Sequence, residues 1–124
     1  MSAAGIITGK ATAKAGATLI ARVVGNDALP VTRISLSAIN YAVQNVTTAV
    51  LIGTGALTIS TVIFDALQTD KNWTKDAVGY NFKWTVPASL LQNGGDKYQV
   101  DVKFTPVTGE VFIQSWQFTL QKTY

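Results

Sequence analysis

Residues 98–104, Tyr98-Gln99-Val100-Asp101-Val102-Lys103-Phe104, decide the fold. Tyr98, Val100, Val102 and Phe104 alternate with Gln99, Asp101 and Lys103. Alternation with period two puts one set of side chains on each face of an extended strand, so this strand buries its apolar face and wets the other. Thr105-Pro106-Val107-Thr108-Gly109-Glu110 follows, and then a second apolar run from Val111 to Leu120. Two such runs joined by a short turn containing Pro and Gly form a β-hairpin. On the second arm Phe112, Trp116, Phe118 and Leu120 share one face, while Val111 and Ile113 lie on the other. A strand that is apolar on both faces near its start is expected to be covered by something beyond its own sheet, which marks Val111 and Ile113 as interface candidates.

Upstream of the hairpin, Gly79 to Val86 reads as a strand: Tyr80, Phe82, Trp84 and Val86 form the core set, and Asn81, Lys83 and Thr85 the solvent set. Pro87 ends it, and Ala88 to Gln92 forms a short turn or 3₁₀ segment. Gln68 to Val78 is the most polar segment and reads as a loop. Ser60 to Leu67 is open between two readings: Ser60 caps a helical turn, or Val62, Ile63 and Phe64 make a strand. Ala49 to Ile52 and Leu57 to Phe64 are apolar, and Gly53-Thr54-Gly55 between them reads as a hairpin turn. Val31 to Val46 is a long extended stretch whose apolar phase slips: Ile34, Leu36 and Ala38 are even, and Ile39, Tyr41 and Val43 odd. That slip implies a bulge or a crossing between sheets. Ile6 to Lys14 and Ala17 to Val24 complete the strands, separated by Ala15-Gly16, with Gly25 to Pro30 as the next loop. Many short strands at regular spacing, with no long helical period, predict an all-β antiparallel sandwich formed by one domain, residues 1–124.

Composition narrows the function by subtraction. Hydrophobic residues make up 48% of the 124 residues, enough for a core, and charged residues only 14%, against about 25% in typical globular proteins. A weakly charged surface costs less to desolvate and suits a protein partly covered by partners. The net charge is +3, but the Lys and Arg residues are scattered singly rather than clustered, so nucleic-acid binding is not expected. With no Cys and no His, disulfides, thiolate catalysis, Cys or His zinc sites and imidazole acid–base chemistry are excluded. No apolar run approaches a membrane span, and the N-terminus lacks the charged and apolar regions of a signal peptide. The chain therefore reads as a complete small gene product made in the cytoplasm, with residues 1–9 as an uncharged N-terminal arm.

Candidate chemical sites fall to simpler explanations. Asp70, Asn72, Thr74 and Asp76 occupy alternate positions, superficially like a calcium loop, but the turn Gly and bidentate Glu are missing and Lys71 and Lys75 oppose a cation. Asp96, Asp101 and Glu110 lie near one hairpin without forming a carboxylate pair across a cleft. Asn45-Val46-Thr47 and Asn72-Trp73-Thr74 match the glycosylation sequon, which Thr-rich composition produces by chance. No Gly-x-Ser-x-Gly elbow or phosphate-binding Gly loop occurs. No catalytic residue, metal or cofactor is expected. Trp73, in a polar loop, is an interface candidate because exposed Trp often anchors contacts, and Ile6 and Ile7 of the arm join it.

The segment Leu90-Leu91-Gln92-Asn93-Gly94-Gly95-Asp96-Lys97-Tyr98-Gln99-Val100 resembles the E–F corner of immunoglobulin-like domains, in which a Tyr opening strand F caps upstream backbone and an apolar residue follows two positions later. The resemblance implies an Ig-like β-sandwich of about seven to eight strands with Tyr98 as the corner residue. The B–F cysteines are absent, with Ala21 or Val23 in that region, and Tyr41 is the nearest substitute for the strand-C Trp. A second resemblance is to small bacteriophage virion proteins, capsid decoration proteins and tail or connector accessories; the run Trp73 to Phe82 and the segment Tyr98 to Val111 carry it. It implies a non-enzymatic, homo-oligomeric structural protein of the virion, binding capsid or tail subunits. The alternative is a carbohydrate- or cell-surface-binding Ig-like module that uses Trp73.

Overall fold

The computed structural model describes residues 6–25, 28–69 and 77–122, with backbone alone for residues 6–12. Its strands are β1 (Ile6–Thr12), β2 (Ala17–Ala21), β3 (Leu36–Asn45), β4 (Val50–Leu57), β5 (Ile63–Gln68), β6 (Tyr80–Val86), β7 (Lys97–Pro106) and β8 (Phe112–Gln121); a single helical turn, α1 (Ile59–Val62), precedes β5. They form two sheets, one of five strands in the order β1-β8-β7-β3-β4 and one of three in the order β2-β6-β5. All pairings are antiparallel except that of β1, which runs parallel to β8 with Ile6 opposite Ser115 and Thr12 opposite Gln121. The fold is a β-sandwich.

The hairpin expected from residues 98–120 is β7 and β8, with Tyr98 opposite Phe118 and Phe104 opposite Phe112. Its alternation becomes burial: Tyr98, Val100, Val102, Phe104, Phe112, Trp116, Phe118 and Leu120 are all in the core. Gln114 also faces inward and is buried. From the three-stranded sheet Phe82 meets them, stacked on Trp116 at 5.4 Å and edge-on to Phe104 at 5.6 Å, while Phe104 stacks on Phe112 at 5.3 Å. Such offset and edge-on pairs contribute about 0.5–1.5 kcal/mol each beyond the area they bury.

Three expectations need correction, and one open reading is resolved. Gly53-Thr54-Gly55 is not a turn but the middle of β4; the chain reverses earlier, at residues 46–49, where Ala49 adopts φ +58°. The glycines serve the strand, because the Tyr41 ring lies over Gly55, where an added Cβ would sit 2.8 Å from it. The long stretch from Val31 is interrupted by a 3₁₀ turn at Arg33–Ser35, so the strand begins at Leu36. Its phase slip is real: the β3–β7 register shifts between Leu36 and Ala38. Both readings of Ser60 to Leu67 are partly right, since the helical turn ends at Val62 and β5 follows, although Thr58 rather than Ser60 holds the N-cap position. Finally, Asn81 is not a solvent residue. It is buried, its Oδ1 accepts from Val23 N at 2.7 Å, and its Nδ2 donates to Val23 O at 2.9 Å and Val31 O at 3.2 Å. The β2–β6 ladder stops at Ala21 opposite Phe82, and the Asn81 amide, which has the same donors and acceptor as a peptide unit, pairs with the chain just beyond it.

Candidate interaction surface

The corner that leads into β7, residues 93–98, is held from both sides. Asn93 N donates to the Tyr98 hydroxyl at 3.2 Å, Gly95 N to Leu120 O at 2.7 Å and Leu120 N to Asp96 O at 2.9 Å. Gly95 has φ +91°, a conformation that Gly adopts without the penalty a Cβ brings. The β3–β4 turn is tied to this corner. Asn45 Nδ2 donates to Asp96 Oδ2 at 2.8 Å, Lys97 N donates to Thr47 Oγ1 at 2.9 Å, and Val46 N to Lys97 O at 2.8 Å. These bonds fix where the β3–β4 hairpin leaves the body of the sandwich.

That hairpin has an unusual surface. Between Arg33 and Asp65 there is no Asp, Glu, Lys or Arg at all. β4 is the terminal strand of the five-stranded sheet, paired among the described residues with β3 alone. Its outer backbone edge is therefore a row of N–H and C=O groups open to another strand. Val50 is 50% exposed and Leu51 61%. The β3–β4 register shifts at Val43/Gln44, leaving Ile52 as the extra residue of a bulge, packed toward the core. Tyr41 holds β4 from inside, because its ring covers Gly55 and packs on Trp84 of the opposite sheet at 4.7 Å. At the far end of the hairpin an open groove of about 560 Å³ is walled by Ala38, Ala56, Leu57 and Ile59, with Ile34, 88% exposed, at its rim. Edge and exposed aliphatic side chains thus form an uncharged strip along β4, and the groove at its end carries one charge, Arg33, at its wall.

The outer face of the same sheet is polar and already ordered. Gln117 Nε2 donates to Gln99 Oε1 at 2.8 Å, Gln99 Nε2 to Asp101 Oδ1 at 2.9 Å, and Ser115 Oγ to the same oxygen at 2.5 Å. Side chains fixed in this way lose less rotamer entropy when a partner covers them.

Of the residues singled out from the sequence, Tyr98 makes the corner bond described above. Val111 and Ile113 are 43% and 48% exposed, Ile113 at the start of β8 opposite Lys103 and before the segment that β1 covers. Ile6 and Ile7 stand in β1 in register with Ser115 and Trp116, so their backbone is engaged by β8. Trp73 and the alternating Asp70–Asp76 set lie outside the described residues. Asp96 is bonded to Asn45, and Asp101 to Ser115 and Gln99, so the hairpin carboxylates are separate structural acceptors. Among the described residues no three Asp, Glu, His or Cys side chains come together as a metal site would require. Val50, Leu51 and Ile34 were not expected. The signal that could have found them is the uninterrupted run without charge, which overall composition conceals. Comparison of the chain with protein-family models, with curated proteins and with solved structures gives no match.

Proposed function

We propose that this chain is a non-enzymatic structural protein of a virion, a decoration or tail accessory protein that packs against neighbouring subunits through the β3–β4 edge. The observation that carries this reading is the charge-free run from Ile34 to Phe64, which contains an open strand edge with exposed Val50 and Leu51. A surface without charge is cheap to desolvate, and an open edge offers backbone hydrogen bonds to a partner strand. The strand order supports the Ig-like reading. Taking β2 to β8 as strands B, C, C′, D, E, F and G, the sheets become G-F-C-C′ and B-E-D, as in the variable-type sandwich, with β1 added beside G. Ala21 and Val23, in the region of the missing B-strand cysteine, are buried, as is Val100 of strand F. The resemblance to phage virion proteins supplies the setting.

Electron cryomicroscopy of particles from the genome that encodes the chain tests the reading. The expected result is symmetric density for the sandwich with the β4 side against a neighbouring subunit. Absence of the chain from particles, together with a monomer that finds no partner in ultracentrifugation, overturns it.

A further inference from the structure

We infer that the chain pairs with a second copy of itself, β4 against β4 in antiparallel register about a two-fold axis, so that two five-stranded sheets become one continuous sheet. Among the described residues four strand edges are available, and three are guarded or short. β1 carries Lys10 and β5 carries Asp65, while β2 has five residues and is flanked by Lys14 and Arg22. β4 has eight residues and contains neither charge nor Pro, two of the devices that keep edges apart, and its bulge at Ile52 leaves Gly53 to Leu57 as a regular run. Antiparallel two-fold pairing sets the middle of each strand against the same residues of its copy, so a charge near the axis meets a like charge close by, which is destabilising. β4 and the residues flanking it, from Ile34 to Phe64, bring none. Self-pairing matches what the edge does carry: backbone groups, the apolar side chains of Val50 and Leu51, and the bulge at Ile52, which sets the strand's local twist and limits slippage.

The test uses the intact chain. Sedimentation velocity at micromolar concentration should give twice the 13.2 kDa chain mass. Leu51→Lys combined with Thr54→Lys, both at exposed β4 positions, should return the mass to that of one chain with unchanged circular dichroism and melting. The chain has no cysteine, so Thr54→Cys gives a clean reporter. It should form a disulfide-linked dimer under mild oxidation at a rate at least about tenfold above that of Val107→Cys, an exposed position in the turn between β7 and β8 and not in β4. A wild-type monomer throughout the micromolar range overturns the inference. So does a dimer that survives both lysines, or equal cross-linking at the two cysteines. Self-pairing does not depend on the virion role: a chain that is monomeric in solution yet bound to particles removes the dimer and leaves that role standing.

Discussion

Asn81 shows how a single side chain can stand in for backbone. Its amide takes the N–H and C=O of Val23 and the C=O of Val31 inside the protein, so removing it strands buried polar groups. Asn81→Ala should cost about 2–3 kcal/mol in urea unfolding, against under about 0.5 kcal/mol for the exposed Asn40→Ala. Equal, small losses for the two would mean that the Asn81 bonds are exchanged for water without cost. Tyr98→Phe removes only the hydroxyl that accepts from Asn93 N and should cost about 1 kcal/mol, with the core unchanged. These two residues also mark what a sequence discloses. The strand that Tyr98 enters is legible because its apolar alternation and the preceding Asn-Gly-Gly-Asp turn lie within a few positions. The burial of Asn81 is not legible, because its partners are 50 and 58 residues away and local alternation puts every polar residue outside.

At the scale of the element, β4 is the instructive case. Two glycines with one residue between them read as a turn because Gly is the usual turn former, yet here they leave room for an aromatic ring that arrives from β3. Gly55→Val should drive its side chain into Tyr41, disturb the Tyr41–Trp84 packing and cost about 1–3 kcal/mol, read by chemical denaturation and by Trp fluorescence. The reversal that sequence did not place contains Ala49 at φ +58°, a strained position for a residue with a Cβ. Ala49→Gly should therefore raise stability by up to about 1 kcal/mol, and a loss instead would show that the turn is not held in that conformation. The β7–β8 hairpin needed no such correction, since alternation, turn residues and aromatic content all favour one arrangement. The parallel addition of β1 to β8 could not be read, because it joins segments more than a hundred residues apart and no local pattern encodes a parallel partner.

For the whole molecule, charge is the quantity that separates scaffold from surface. The sandwich accounts for the hydrophobic content, and the pairing of the hairpins accounts for the alternation, but neither requires that the chain from Ile34 to Phe64 be free of charge. Concentrated on one hairpin at a sheet edge, that absence lowers the cost of covering it and removes repulsion between copies. Amide hydrogen exchange of β4 tests most directly whether this edge is the contact surface. Amides of Val50–Leu57 that point away from β3 have no partner within the described fold and should exchange rapidly in dilute monomer, then become protected at least about tenfold in the assembled state, while those pointing toward β3 change little. Outward β4 amides that exchange equally fast in both states, with new protection confined to another face, would contradict the account.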